Sequence, residues 1–139
     1  MNTQENKLTI EIMANFGKAC ETNNLQLVKE ILESEGHILL NGDKYDNGFI
    51  SACADGAVDV AHYLYNYAPP KEYSLKEAFK SACDMSKIES IKFLVLETTL
   101  VRKDVQEHIL EVKEYDMDFY QEIQQVFRDK MSMIEAEAY

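Results

Sequence analysis

Phe49-Ile50-Ser51-Ala52-Cys53-Ala54-Asp55-Gly56 decides the fold of this chain, because its core recurs twice more. Phe-x-x-Ala-Cys stands at Phe16-Gly17-Lys18-Ala19-Cys20, again at Phe49 to Cys53, and at Phe79-Lys80-Ser81-Ala82-Cys83, with spacings of 33 and 30 residues. The residues downstream of each copy repeat as well. Counted from the cysteine, an apolar residue stands five positions on (Leu25, Val58, Ile88), eight on (Val28, Ala61, Ile91) and eleven on (Ile31, Leu64, Leu94). The twelfth position is apolar or aromatic (Leu32, Tyr65, Val95). Self-similarity at this period signals stacked supersecondary units that bury their apolar faces against one another.

Working outward, a period of about 3.6 fits throughout and no sustained alternation suggests strands, so the chain is expected to be all-α. The first unit pairs helices over 10–20 and 25–33, with Asn23-Asn24 at the turn. The second pairs 48–54 with 58–67 and turns at Asp55-Gly56, where glycine accepts a positive φ. In the third, Ser74-Leu75-Lys76-Glu77 matches a capping box, in which serine and glutamate satisfy each other's amides. That helix runs through Cys83, turns at Met85-Ser86, and its partner covers 87–97.

The segment 36–47 holds Asn41-Gly42-Asp43 and Asp46-Asn47-Gly48, which predict a loop. Pro69-Pro70 predicts an extended connection. Past Glu97 the period fades, yet 104–113 and 116–130 still fit helices. In the second of these, Phe119, Tyr120, Ile123, Val126 and Phe127 form one apolar stripe behind an Asp116 N-cap. Setting Val112 at the cysteine position aligns Met117, Tyr120 and Ile123 with the earlier apolar positions. The expected organisation is one domain over 1–139: repeats at about 10–42, 43–72 and 73–103, a degenerate capping repeat at about 104–131, and a tail over 132–139. Met131, Met133, Ile134 and Tyr139 carry the apolar pattern into that tail, which leaves packing back, disorder and docking on another copy all open.

These residues resemble the ankyrin-repeat family. The family's helix-starting motif is Thr-Pro-Leu-His-x-Ala-Ala-x-x-Gly, and Phe49 through Gly56 follows it from the leucine onward, with Phe for Leu and Cys for the second Ala. Val58-Asp59-Val60-Ala61-His62-Tyr63-Leu64 matches the second helix of the family, and residues 16–32 and 79–95 follow the same scheme. Asn23 and Ser86 stand where glycine is usual. The Thr-Pro pair is replaced by Asn47-Gly48 and Glu77-Ala78, and no Gly-Ala-Asp-x-Asn loop signature occurs, so regular β-hairpin fingers are not expected. The period alone leaves other helical-pair repeats open, although the tetratricopeptide pattern of Trp, Gly and Tyr is absent. The resemblance implies a short ankyrin-like solenoid with a degenerate helical C-terminal cap.

Composition bounds the function. With 46% hydrophobic and 28% charged residues over 139 positions, the chain is globular and long enough for a continuous core. No stretch approaches the length of a membrane span. The polar start, Met1-Asn2-Thr3-Gln4-Glu5-Asn6, lacks the regions of a signal peptide. A cytoplasmic location is expected, or delivery to a host cell by a route without a classical signal. The formal charge is −11, and acids outnumber bases by 11 to 5 over residues 97–139. Direct binding to nucleic acid is disfavoured, because phosphates require a basic face. The acidity serves solubility and would also suit a basic partner.

Candidate chemistry is sparse. Cys20, Cys53 and Cys83 share one repeat position beside a small alanine, with no Cys-x-x-Cys spacing, so they are expected to be core residues rather than metal or redox groups. His37, His62 and His108 form no local ligand pair, and His62 is expected to face solvent. Gly42 and Gly48 lie outside any phosphate-loop pattern, and the acids of 104–122 are not spaced as a calcium loop. No catalytic group, metal or cofactor is expected. Tyr63, Tyr65, Tyr67 and Tyr73 gather around the Pro69-Pro70 connection. Tyr65 suits burial, while Tyr67 and Tyr73 suit either a helix-covering role or that of partner anchors.

The resemblance implies a non-enzymatic interaction module, an adaptor or inhibitor, that recognises a protein partner through a concave face of loops and first helices. Carried over by position, the variable pairs are Glu21/Thr22, Ala54/Asp55 and Asp84/Met85. The loop positions are Asp43, Lys44 and Asp46, then Tyr73, Ser74 and Lys76. The partner-binding residues expected are Glu21, Asp46, Asp55, Tyr73, Asp84 and Met85, with the chain a monomer or weak homo-oligomer. The alternative is an acidic decoy occupying the basic nucleic-acid groove of a partner enzyme, which requires carboxylates aligned on one face.

Overall fold

In the computed structural model, residues 3–137 are described. Tyr139 of the apolar tail lies outside the described residues, as do Met1 and Asn2 of the polar start. Among the described residues there are eight helices and no strand: α1 (Thr3–Glu21), α2 (Leu25–Leu40), α3 (Lys44–Ala54), α4 (Val58–Tyr67), α5 (Glu72–Asp84), α6 (Ile88–Glu97), α7 (Arg102–Tyr115) and α8 (Met117–Glu137). None of these helices is long and apolar enough to cross a membrane. The protein is all-α.

The first three helix pairs turn the same way, for a reason visible in the backbone. The third residue after each cysteine has positive φ: 55° at Asn23, 76° at Gly56 and 55° at Ser86. The amide of the next residue then donates to the carbonyl of the motif alanine, as Asn24 to Ala19, Ala57 to Ala52 and Lys87 to Ala82, at 2.7–2.9 Å. This left-handed C-terminal cap satisfies carbonyls that a helix end leaves free. Gly56 adopts it without a Cβ penalty, whereas Ser86 adopts it against one.

Two rows of helices result. The first helices contact in series, α1 on α3, α3 on α5 and α5 on α7, while α2, α4, α6 and α8 form the second row. Phe49 and Phe79 reach the second row, against Phe93 and Phe127, while Phe16 packs on α3 beside Tyr45; each is at most 1% exposed, and the Ala-Cys pairs beside them are buried. Small side chains let the first helices approach closely. The extreme is Gly48, where an added Cβ would lie 2.4 Å from Phe16 Cε2 and 3.0 Å from Cys20 Sγ. Gly48 therefore sits on the buried face of α3 with the Phe16 ring of α1 against its backbone, and the turn expected there is absent.

The other departures have physical causes too. Helix α2 continues past a kink at Glu35 (φ −129°) to Leu40, so that the expected loop shrinks to the turn at Asn41-Gly42-Asp43, because Leu39 reaches the core and is fully buried. The Tyr67 ring stands against that kink, and a Cβ on Gly36 would lie 2.8 Å from its hydroxyl. Helix α3 begins at Lys44 rather than at 48, since Tyr45 adds a buried aromatic stacked on Phe16 at 6.1 Å. Ser74 is not an N-cap: α5 starts at Glu72, and the Ser74 hydroxyl donates to Asp46 Oδ2 at 2.6 Å. The extended link around Pro69-Pro70 is present, with Ala68 and Lys71 both in extended conformation. Asp116 caps α8, its Oδ1 accepting from the Phe119 amide at 3.0 Å. Helix α8 runs on to Glu137, and its buried residues end at Phe127.

Two glycine substitutions should act in opposite directions. Gly48→Ala drives a methyl group into Phe16 and is expected to destabilise by about 2–3 kcal/mol. Ser86→Gly removes left-handed strain and should stabilise by about 0.5–1 kcal/mol. Urea unfolding followed by circular dichroism measures both, and a tolerated Gly48→Ala would contradict the close approach of α1 to α3.

Candidate functional site

Helices α3, α5 and α7 each present a stripe of exposed or half-exposed residues at three- and four-residue spacing, running from one end to the other. On α3 the stripe is Lys44, Asn47, Ser51 and Asp55; on α5 it is Tyr73, Lys76 or Glu77, Lys80 and Asp84. On α7 it is Asp104, Glu107, Glu111 and Glu114, all acidic and all exposed. Because the first helices lie side by side, these stripes form one surface. Its sign turns more negative toward α7.

The C-terminal edge of that surface is tied together turn by turn. Asn23 Oδ1 accepts from the Val60 amide at 3.3 Å, linking the first turn to α4. A Cβ on Gly56 would lie 3.4 Å from Lys87 Cδ, so the second turn rests on the third. Ser90 Oγ donates to the Cys53 carbonyl at 2.7 Å and fixes α6 against α3. From the third turn, Asp84 Oδ1 reaches α7, 3.2 Å from His108 Nε2. The other ring nitrogen, Nδ1, lies 3.1 Å from Glu111 Oε2. The contact to Asp84 is at ion-pair distance, although Nε2 lacks a well-directed hydrogen bond. His108 is thus held between two carboxylates on neighbouring helices, its side chain only 13% exposed, while the carboxylates stay in water.

The expected partner-binding residues separate into two groups. Glu21 and Asp84 directly follow their cysteines, Asp55 and Met85 stand one place further on, and all four are exposed on three successive turns. Asp46 and Tyr73 lie at the other end of the first helices and line a shared cleft of about 250 Å³. Along α5, Tyr73 and Asp84 are about 17 Å apart. The loops expected to carry Lys44, Asp46, Tyr73, Ser74 and Lys76 are helix instead, and all five lie within the first turns of α3 and α5. Tyr73 is 69% exposed and free of the core. Asp46 is committed inside the chain, accepting from the Lys71 amide at 3.1 Å and from the Ser74 hydroxyl, so that it joins the start of α3 to that of α5.

Tyr45, Tyr63, Tyr65 and Tyr67 are structural. Tyr67 stacks on Tyr63 at 6.1 Å, and its hydroxyl donates to the Leu32 carbonyl at 3.4 Å. Tyr65 stands edge-on to Phe93. Tyr45 donates to the Leu64 carbonyl, and burial pushes its phenol well above its ordinary value. Sequence reasoning missed Tyr115, the last residue of α7, which is 60% exposed beside the acidic cluster. Its hydroxyl is raised by partial desolvation and then by Asp84, Cys83, Glu111 and Asp116. The only signal in the sequence was its place directly before the Asp116 cap. His62 faces solvent as expected, 3.5 Å from Glu97.

The three cysteines are free, buried thiols. Burial pushes Cys20 and Cys83 up to about 12, reinforced by Glu21 and Asp84 respectively, and raises Cys53 by desolvation alone. At neutral pH they are uncharged and poor ligands or nucleophiles. Among the described residues, no group of three or more His, Cys, Asp or Glu is placed to hold a metal ion. What the surface offers is charge and contact area. Comparison of the chain with protein-family models, curated proteins and solved structures finds no match.

The buried thiols generate a pH dependence of stability. An unfolded thiol ionises near 9, while folded Cys20 and Cys83 keep their protons to about 12. Above pH 9 the unfolded chain therefore releases protons that the folded chain retains, and stability falls by up to about 1.4 kcal/mol per pH unit per thiol. Below that point these groups contribute no slope. Urea titrations from pH 7 to about pH 11 should show a steeper loss for the wild type than for Cys20→Ala/Cys53→Ala/Cys83→Ala. Equal slopes would contradict the assignment.

Proposed function

We propose that the chain is a non-enzymatic, ankyrin-like protein-binding module in which three stacked helix–turn–helix repeats and a degenerate fourth present the first-helix surface to a partner. The observation that carries this reading is the identical left-handed cap at Asn23, Gly56 and Ser86. It repeats one geometry three times and sets Glu21, Asp55 and the Asp84-Met85 pair on successive turns along one edge. Such a surface serves an adaptor or an inhibitor. The left-handed turns and the cross-turn hydrogen bonds fix the edge before binding, so little ordering entropy opposes association. Acids at the edge steer a basic partner, while Tyr73, Met85 and Tyr115 supply apolar and aromatic contact.

The α7 stripe favours a second reading. Asp104, Glu107, Glu111 and Glu114 place four carboxylates on one helix face, continuous with Asp84 through His108. A row of this kind imitates a run of phosphates, and it supports the acidic decoy that fills the nucleic-acid groove of an enzyme. Both readings use the same surface but weight its two ends differently.

Affinity capture with three forms of the chain separates them, with circular dichroism to confirm folding. The adaptor reading expects Asp55→Arg/Tyr73→Ala/Asp84→Arg to weaken retention of the partner about tenfold or more, with modest salt dependence. The decoy reading expects Asp104→Lys/Glu107→Lys/Glu114→Lys to do so, with retention falling steeply as salt rises. A partner retained equally by all three forms would place its site elsewhere and overturn both readings.

A further inference from the structure

The α8 end of the molecule has a different chemistry from the acidic surface. Beyond Phe127 the helix continues to Glu137 with no further buried residue, and its apolar seam continues with it. Phe127, Met131 and Ile134 stand at i, i+4 and i+7 on one helix face; Phe127 is buried, whereas Met131 and Ile134 are 56% and 50% exposed. Met133 falls off this face by the helical period. The seam opens into a groove of about 520 Å³ shared with the start of α7 and walled by Arg102, Arg128 and Lys130. Only 5 basic residues occur over 97–139, against 11 acids, and this groove gathers 3 of them. Each is held by neutral groups. Arg102 Nε donates to Gln106 Oε1 at 2.9 Å, and its guanidinium lies over the Phe127 ring at 5.3 Å. Arg128 donates to Gln125 Oε1, and Lys130 Nζ to the Leu100 carbonyl at 3.1 Å.

The complementary surface is on the same helix. Glu135 and Glu137 are exposed one to two turns beyond the bases. At about 100° per residue, Arg128 and Glu135 fall on one flank of the Phe127–Met131–Ile134 seam, and Lys130 and Glu137 fall on the other. Two such helices laid antiparallel face to face bring like flanks together, so Arg128 of one copy meets Glu135 of the other, twice by symmetry. The Met131 side chains then meet at the centre. A self-complementary patch of this kind is what a two-fold interface requires.

We propose that this end of the molecule is a homodimer contact, in which the last turns of α8 from two copies pair antiparallel, seam on seam, with Arg128 and Glu135 exchanged across the axis. The contact is independent of the partner-binding surface proposed above. The paired segment is about 16 Å long, so the interface is small and dissociation at about 10–100 µM is expected.

Sedimentation equilibrium of the full chain across that concentration range gives the first test, and a monomer throughout would overturn the proposal. Arg128→Glu and Glu135→Arg, both exposed changes, should each weaken self-association about tenfold. Met131→Glu/Ile134→Glu should abolish it, with circular dichroism unchanged. The decisive sample is an equimolar mixture of the Arg128→Glu chain with the Glu135→Arg chain. Opposite charges then face each other at both ends of the axis, and association should return to within about threefold of the wild type. Failure of the mixture to recover would rule out this pairing. So would a chain that stays monomeric yet takes an acidic amphipathic peptide into the groove.

Discussion

The structure depends on how closely the first helices can approach one another. A helix that presents Phe-x-x-Ala-Cys places one large ring and two small side chains on the face it turns inward. The Phe49 and Phe79 rings fill the space toward the second row, the Phe16 ring lies on the α3 backbone, and the small pair lets the neighbouring helix come near. Where α1 meets α3 the approach leaves no room even for a methyl group at Gly48. The cysteine in this role is a small apolar residue, and burial keeps its thiol protonated far above neutral pH. The same constraint fixes the outside of the molecule. Once the inward faces are locked, the opposite stripes of α3, α5 and α7 have only one way to lie next to each other, and so do the turns that end them.

Charge is distributed along α7 in a way the net value of −11 conceals. From its middle onward, His108 holds Asp84 and Glu111 close together, with Tyr115 beside them. At its N-terminal end, about 9 Å from His108 along the axis, Arg102 joins Arg128 and Lys130 around an apolar groove. The helix thus separates two surfaces of opposite sign. A basic partner steered to the acidic edge would be turned away from the groove, and an acidic segment would be turned away from the edge.

The repeat unit was legible because its positions are set by packing, which leaves a periodic trace. The helix α4 bounds, the turns after each cysteine, the buried phenylalanines and the Asp116 cap all derive from local rules that one sequence displays. What escaped was decided by contacts between distant residues. Asn41-Gly42-Asp43 spell a turn that is present, but Asp46, Asn47 and Gly48 are helix, because Leu39 and Tyr45 find core positions on either side and draw the helices toward each other. Ser74 and Glu77 spell a cap, yet the hydroxyl has a better acceptor in Asp46, 28 residues earlier. The candidate site shows the same division. Counting from the cysteines placed Glu21, Asp55, Asp84 and Met85 on exposed turns, whereas Asp46 proved committed within the chain and Tyr115 lay where the repeat had already faded.

The two proposed surfaces, taken together, constrain each other. The groove opens at the N-terminal end of α7 and the last turns of α8, while the acidic edge gathers at the C-terminal ends of α1, α3, α5 and α7. Pairing through α8 therefore leaves the edge of each copy open. A dimer carries two identical acidic faces at a fixed separation, and a partner that offers two basic sites would bind the second face as an intramolecular event. Linkage makes the effect reciprocal: a bivalent partner tightens a dimer that is weak on its own, and dimerisation raises the apparent affinity for that partner by the same factor. A contact small enough to dissociate at micromolar concentration is then suited to respond to the partner, since a permanent dimer would have no equilibrium left to shift.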